Sequence, residues 1–207
     1  MLADPAPGAG GAAAVKIVIA GGFGVGKTTM VGSVSEIEPL STEEYLTTAS
    51  TPIDSLHGVE AKETTTVAFD FGRRTLDVPE PLGELEMFLF GTPGQNRFVD
   101  LWRDLSRGAV GAIVLADTRR LEDSFTAVSF FEQIRLPFIV ALNEFDGAYR
   151  YDPGDVCVAL GLAPEIPLVC CDVRVPSQAA GVLLTLVRHA LSYLPTPSIR
   201  PTTLQDA

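Results

Sequence analysis

A lysine and two threonines follow closely spaced glycines near the start of the chain. Residues 21–29 read GGFGVGKTT, which fits the pattern G-x-x-x-x-G-K-[ST]. Glycines let successive backbone N–H groups curve around a phosphate, and a helix that begins at such a loop adds partial positive charge. In this pattern Lys27 contacts the β- and γ-phosphates, and the hydroxyl of Thr28 binds Mg²⁺.

The surroundings of this stretch agree with that chemistry. Residues 15–20 read VKIVIA, which predicts a buried strand directly before the loop, and the residues after it can form a helix. The alternative is a Gly-rich turn that contains Lys-Thr by chance, and it does not account for the strand. We therefore predict a phosphate-binding loop (P-loop) for a nucleoside triphosphate. The residues expected to surround the nucleotide in this loop are Gly21, Gly22, Phe23, Gly24, Val25, Gly26, Lys27, Thr28 and Thr29.

A second candidate motif is GTPGQ at residues 91–95, directly after a predicted strand. The N–H of Gly94 can contact a γ-phosphate, and Gln95 can orient the attacking water, which makes Gln95 a candidate catalytic residue with Lys27. A Pro-Gly turn before a helix would look the same. The position of the motif downstream of the P-loop favours the phosphate-sensing interpretation.

Three adjacent threonines at residues 64–66 enter another predicted strand. One of them can place its hydroxyl on Mg²⁺ and its N–H on the γ-phosphate. The register is open, and we favour Thr66 as the catalytic and metal-binding threonine. Threonine is also a good strand former, which is the alternative explanation.

A base-binding loop is predicted after the strand at residues 137–142, where Asn143 and Asp146 stand in the sequence NEFD. A carboxylate can accept two N–H bonds from the edge of guanine, and adenine lacks donors in that arrangement. A polar loop after a strand is the alternative. The backbone N–H of Val173, in a later loop, can contact the guanine oxygen O6. The predicted cofactors are GTP/GDP and Mg²⁺.

Apolar runs alternate with amphipathic segments along the chain, as in α/β domains. Strands are predicted at 15–20, 64–71, 84–90, 109–116, 137–142 and 167–171. Helices are predicted at 27–38, 97–106, 121–134, 154–160 and 177–193. No helix separates the second and third strands, so residues 72–83 are predicted to be a loop that joins an antiparallel pair. The predicted fold is an α/β P-loop NTPase with a doubly wound, six-stranded, mostly parallel sheet and one antiparallel edge strand.

Composition narrows the function further. A net charge of −11 with only three lysines argues against binding to nucleic acid or direct insertion into anionic membranes. The chain has no run of 18 or more apolar residues, so no transmembrane helix is predicted. The cysteines Cys157, Cys170 and Cys171 form no disulfide framework and suit a reducing cytosol, so a cytoplasmic location is expected. The adjacent pair is interpreted as a buried strand end, with redox or metal chemistry as the alternative.

Three segments are predicted along the chain. Residues 1–14 are rich in Ala, Gly and Pro and are expected to be a flexible lead and not a secretory signal. Residues 15–193 are expected to form the nucleotide-binding domain. Residues 194–207 are rich in Pro and Thr and are expected to be a flexible tail.

The four motifs, in this order, resemble those of the Ras-like small GTPases, and the predicted domain at 15–193 is similar to their G domain. The residues of these motifs are most similar to those of the bacterial MglA-like branch, and within it to those of the GTPases encoded in actinobacterial conservon operons. The matching stretches are residues 21–29, 66–71, 91–95 and 105–118. The resemblance implies a GTP/GDP switch that acts with a roadblock-type regulatory protein and a membrane sensor-kinase-like protein, which can recruit it to the inner face of the membrane.

The chain also departs from the Ras pattern. Ras proteins have Asp at the first position of D-x-x-G, and this chain has Gly91 there. The MglA-like branch also lacks that Asp. Asp70, on the neighbouring predicted strand, is a candidate substitute. The base motif N-K-x-D has Glu144 in place of Lys, and Phe23 stands where Ras proteins often have Gly. A ring at Phe23 is expected to crowd an arginine supplied by a partner.

Two classes of function stay open at this point. The first is a slow GTPase switch that signals through loop rearrangement, which Gln95 favours. The second is a nucleotide-binding scaffold with negligible hydrolysis, which Gly91, Glu144 and Phe23 favour. An ATP-dependent P-loop kinase is disfavoured because Asp146 suits guanine and no Arg-rich lid segment is visible.

Overall fold

The computed structural model describes residues 13–46, 65–77, 83–94 and 99–193, with backbone only for 41–46 and 65–68. The strands of its single sheet are β1 Ala13–Gly21, β2 Leu40–Leu46, β3 Thr65–Asp77, β4 Glu84–Gly91, β5 Ala109–Ala116, β6 Phe138–Asn143 and β7 Leu168–Cys171. The helices are α1 Lys27–Val34, α2 Val99–Ser106, α3 Phe125–Ile134, α4 Pro153–Leu160 and α5 Pro176–Leu191. A 3₁₀ segment, Thr118–Ser124, directly precedes α3.

The sheet has seven strands in the order β2-β3-β4-β1-β5-β6-β7. The pairs from β4 to β7 are parallel, and β3 is antiparallel to both of its neighbours. The predicted α/β P-loop fold, with a mostly parallel sheet and one antiparallel strand, is confirmed. The strand missing from the prediction is β2, which makes the antiparallel strand second from the edge. Its sequence, LSTEEYL, is too polar to give an apolar run, as is common for an edge strand.

The predicted loop at 72–83 is wrong over its first half, because β3 continues to Asp77 and pairs with β4 from Asp70 to Asp77. Gly72 suggested a turn but has a packing role. A β-carbon at Gly72 would lie 2.7 Å from Val31 Cγ1, so a glycine there lets β3 approach α1 closely.

Two predicted helices differ from those in the structure. One ends earlier than predicted, and the other is divided into two segments. Helix α1 ends at Val34 and not at 38, because Ser35 adopts an extended conformation and its Oγ accepts a bond from the Arg73 N–H of β3. The predicted helix at 121–134 is the 3₁₀ segment followed by α3. Asp117 accepts a bond from the Arg119 N–H at the start of the segment, and Arg120 interrupts it with φ −149° and ψ 56°.

Helices cover both faces of the sheet, and alternate residues of each central strand contribute to the two sides. In β1, Ile17 and Ile19 face α1 and α5, whereas Val18 and Ala20 face α2, α3 and α4. This arrangement buries the central strands and brings their carboxyl ends to one edge of the sheet, where the P-loop begins.

The two adjacent cysteines at the end of β7 differ in exposure. Cys171 is buried, as predicted, whereas Cys170 is exposed. Burial raises the pKa of the Cys171 thiol to about 12. None of the described helices has the length and apolar character needed to cross a membrane. The predicted tail and most of the predicted lead lie outside the described residues, and residues 13 and 14 of that lead belong to β1.

Candidate nucleotide-binding site

The P-loop connects β1 to α1 and its backbone requires glycine. Gly21 has φ 139° and a β-carbon there would lie 2.3 Å from the carbonyl oxygen of Leu115. Gly26 has φ 107°, and its β-carbon would lie 2.8 Å from Asn143 Nδ2. Because α1 starts at Lys27 with no side-chain cap, the N–H groups of its first turn are available to an anion.

Lys27 is the buried cation of this loop. Its side chain is 8% exposed, and its ammonium donates to the carbonyl oxygens of Gly21 at 3.0 Å and Gly22 at 2.7 Å. Burial lowers the pKa of Lys27 to about 8, an effect that the nearby Asp70 carboxylate partly offsets. A buried ammonium held by two neutral carbonyls can gain an anionic partner, so this residue fits a phosphate.

Thr28 and Asp70 meet beside this lysine. The Thr28 hydroxyl donates to Asp70 Oδ2 at 2.7 Å, and Asp70 is 8% exposed. Asp70 pairs with Gly91 across β3 and β4, and a β-carbon at Gly91 would lie 2.9 Å from Asp70 Cβ. Asp70 therefore occupies the space beside the position where Ras proteins carry Asp. The Thr28 hydroxyl and the Asp70 carboxylate provide two oxygen ligands of the kind that Mg²⁺ prefers.

The segment after β4 lies directly on the P-loop. A β-carbon at Gly94 would lie 2.7 Å from Lys27 Nζ and 2.8 Å from Phe23 Cα, so only glycine fits there. The Thr92 N–H donates to the Ile19 carbonyl at 2.8 Å, which joins this segment to β1. Gly94 and the P-loop, predicted to share the phosphate site, are thus brought together.

The other predicted phosphate-contacting residues are less closely placed. Gln95 and Thr64 lie outside the described residues. The backbone of Thr66 is part of β3, opposite Tyr45 of β2. Four residues of strand place Thr66 about 13 Å from Asp70. Thr66 and Asp70 therefore share a metal ion only if β3 shortens, and the assignments of Gln95 and Thr66 stay predictions.

Asn143 connects the P-loop to the loop that contains Val173. It is buried at the end of β6, and its Nδ2 donates to the Val25 carbonyl at 2.9 Å. Its Oδ1 accepts from the Val173 N–H at 3.2 Å. The N–H predicted for guanine O6 is therefore bonded to Asn143 here, and Asn143 itself supports the P-loop from behind.

Asp146 stands at the opposite end, with its side chain 85% exposed. Both carboxylate oxygens accept from Arg174, at 2.7 Å from Nη1 and 2.9 Å from Nη2. Arg174 also binds Asp172 through Nε and Nη2. Hydrogen bonds from Arg174 lower the pKa of both carboxyls. We refer to Asp146, Asp172 and Arg174 as the base-end cluster.

Sequence inspection missed three arginines of the site. Arg174 binds both aspartates of the base-end cluster, and a signal for it exists in the spacing of Asp172 and Arg174. Arg120 donates to the carbonyl of Phe23 in the P-loop at 2.8 Å. Arg119 pairs with Asp117 and lies 3.8 Å from the centre of the Phe145 ring. The last two have no motif signal, because they lie between the predicted strand 109–116 and the predicted helix 121–134.

Comparison with known proteins places this site in a family. Residues 19–193 match the model of a family described as "Conserved hypothetical ATP binding protein". The chain belongs to this ATP-binding family. An uncharacterized protein, MJ1339, of Methanocaldococcus jannaschii is 28% identical over 135 residues, which is 64% of this chain and 71% of that protein. The name of that protein gives no activity.

A solved structure supports the fold. The G domain of the T. maritima FeoB iron transporter superposes with a TM-score of 0.60 at 20% identity, over 86% of this chain and 99% of that one. At this identity the likeness concerns the fold. Fold, P-loop and family together establish a nucleotide-binding P-loop domain.

Proposed function

We propose that this member of the ATP-binding family is a GTP-binding molecular switch that hydrolyses GTP slowly to GDP. The observation that carries the proposal is the contact of Gly94 with the P-loop. A β-carbon there would lie 2.7 Å from Lys27 Nζ, so no phosphate fits between Gly94 and the ammonium. A γ-phosphate that binds Lys27 has to move the segment after β4, and this coupling of ligand to loop is what a switch requires.

The residues of the site have distinct tasks in this proposal. Lys27 binds the β- and γ-phosphates, and Gln95 orients the attacking water. Mg²⁺ at Thr28 and Asp70, joined by Thr66 once β3 shortens, would neutralise charge between the β- and γ-phosphates. Asp146 accepts the two N–H groups of guanine once its oxygens leave Arg174, and Gly94 moves with the γ-phosphate.

We also propose the branch of small GTPases to which the switch belongs and the partner proteins with which it acts. The motifs resemble the MglA-like, conservon-encoded GTPases, and Asp70 beside Gly91 supports a domain that works without the Asp of D-x-x-G. We infer a roadblock-type regulatory protein and a membrane sensor-kinase-like protein as partners. The net charge of −11 makes recruitment to an anionic membrane depend on such partners.

Nucleotide competition tests the choice of base, since the family's description names ATP. We expect wild-type protein to prefer GDP over ADP, and Asp146→Asn to move the preference towards XDP, because an acceptor becomes a donor. Asp172→Asn is the matched control, since this carboxylate shares Arg174 but is not assigned to the base. Equal affinities for ADP and GDP in the wild type would overturn guanine specificity.

A nucleotide-binding scaffold is the second candidate. Two observations favour it: Phe23 is 69% exposed on the P-loop, where its ring would crowd an incoming arginine, and Glu144 pairs with Arg150 where Ras proteins have Lys. Single-turnover GTP hydrolysis distinguishes the two. A switch without an arginine finger turns over at roughly 10⁻⁴ to 10⁻³ s⁻¹.

We expect Gln95→Leu to lower this rate at least about tenfold, with and without a candidate roadblock partner. The wild-type and variant proteins should bind GTP equally well, which separates catalysis from binding. If Gln95→Leu keeps the wild-type rate in both conditions, the scaffold replaces the switch.

A further inference from the structure

The 3₁₀ segment Thr118–Ser124 lies against the outer side of the P-loop, and none of the nucleotide motifs includes it. A β-carbon at Gly22 would lie 2.7 Å from Asp123 Cβ, which shows how closely the two segments approach. Arg120 extends from the interruption in this segment, and its Nη2 donates to the Phe23 carbonyl at 2.8 Å. A P-loop carbonyl is thus held by a side chain from a different part of the chain.

The neighbouring carbonyls of the P-loop are held as well. Lys27 binds those of Gly21 and Gly22, and Asn143 binds that of Val25. Lys27 and Asn143 belong to the motifs that recognise nucleotide, whereas Arg120 does not. With these carbonyl oxygens bonded to side chains, the backbone N–H groups of the loop are left to bind an anion.

Peptide geometry gives the contact of Arg120 a specific consequence. In a trans peptide the C=O and the following N–H point in opposite directions. Holding the Phe23 carbonyl on Arg120 therefore directs the Gly24 N–H to the side opposite Arg120. Gly24 has φ 73°, and glycine rotates between backbone regions at little cost, so this peptide flips easily unless something holds it.

We propose that Arg120 is a positioning residue of the phosphate site, which holds the Phe23–Gly24 peptide in the orientation that binds phosphate. The inference deepens the proposed function and rests on its phosphate site. The hydrogen bond is the active element, because Arg120 also faces Asp123, with 3.8 Å between Nη1 and Oδ2, which offsets its charge.

The test uses Arg120→Met, which keeps the aliphatic stem and removes the donor, and Arg120→Lys, which restores a donor. The matched control is Arg107→Met, because Arg107 also faces an aspartate three residues away, with 3.4 Å between its Nη2 and Asp104 Oδ1, and belongs to none of the nucleotide motifs. We expect Arg120→Met to weaken GDP binding roughly tenfold, as for loss of one charge-assisted hydrogen bond. Arg120→Lys should recover most of the affinity, and Arg107→Met should stay within about twofold.

The Gly24 amide supplies a readout that a general loss of structure would not give. In ¹H–¹⁵N spectra of the ligand-free protein, Arg120→Met should shift the Gly24 resonance, while Arg107→Met leaves it in place and unfolding midpoints agree. Weaker binding with an unmoved Gly24 resonance would overturn positioning in favour of a charge effect. GDP affinity unchanged in Arg120→Met overturns the inference alone, whereas a wild type that binds no nucleotide overturns the proposed function.

Discussion

The two ends of the candidate site are built in different ways. At the phosphate end, Lys27 and Asp70 are each 8% exposed and are held by main-chain carbonyls or by the Thr28 hydroxyl. At the base end, Asp146 is 85% exposed and is held by Arg174, itself exposed. The phosphate end is part of the core of the sheet, and the base end is an ion-pair cluster on loops.

This difference teaches where binding energy and selectivity reside. Buried charged groups strengthen their interaction with a ligand because little water screens them. Exposed ion pairs contribute about 0–1 kcal/mol and rearrange at small cost. We therefore expect changes at the phosphate end to decide whether a nucleotide binds, and changes within the base-end cluster to decide which one binds.

Lys27→Ala should have the largest effect and lower GDP affinity by at least about a hundredfold, because it removes the buried cation. Binding measured by calorimetry, with circular dichroism as the fold control, checks this. The fold should persist, since the ammonium contacts carbonyls of the P-loop and not the apolar core. Wild-type affinity in a folded Lys27→Ala protein would remove the phosphate end from the site.

Asp70→Ala should come next and act through Mg²⁺. Loss of the carboxylate bound to Thr28 should remove most of the Mg²⁺ dependence of GTP affinity, an effect of roughly tenfold or more, with GDP less affected. Thr28→Asn should give the same preference for GDP. Titrations with and without EDTA measure both. An unchanged Mg²⁺ dependence in Asp70→Ala would show that Asp70 does not replace the Asp missing at Gly91.

Raising the pH should weaken binding at the phosphate end, since the Lys27 pKa is about 8 in the ligand-free protein. Nucleotide requires the charged form, so GDP affinity should fall about tenfold between pH 7.5 and pH 9, where the phosphates are already ionised. Lys27→Arg, which stays charged, should show little of this slope. An equal slope in both proteins would assign the titration to another group.

The same pKa predicts the pH dependence of folding for the ligand-free protein. The Lys27 pKa is lower in the folded chain than its ordinary value of 10.5, so the unfolded chain binds more protons between about pH 8 and pH 10.5. The contribution of Lys27 to the free energy of unfolding should therefore rise with pH across that window. Denaturant titrations of wild type and Lys27→Met, compared at pH 8 and pH 10, isolate this contribution.

Arg174→Ala should have the smallest effect and a favourable sign. The guanidinium and the guanine edge compete for the same two oxygens of Asp146, so removing Arg174 should raise GDP affinity, by no more than about fivefold. Arg150→Ala, which breaks the pair with the half-buried Glu144, serves as control. A loss of affinity above about tenfold would contradict the comparison, because Arg174 would then support the base directly.

The sequence allowed most of the fold to be predicted, and its errors have local causes. β2 was missed because its polar sequence carries no apolar periodicity, and the pairing that makes it a strand comes from β3. The end of β3 was mistaken for a loop because Gly72, a turn signal, serves close packing against Val31. Such signals depend on what lies opposite in space, which a sequence pattern does not contain.

For the site, the sequence by itself predicted the P-loop, Gly94 and the Asn143–Asp146 loop, since each needs particular residue types at fixed spacing. Only the tertiary structure decided that Asp70 fills the space beside Gly91, that Arg174 occupies Asp146, and that Arg120 holds the Phe23 carbonyl. Motifs record the groups that a ligand needs along one short stretch of chain. Contacts between residues 97 positions apart, such as Arg120 and Phe23, arise only when strands far apart in sequence become neighbours in the sheet.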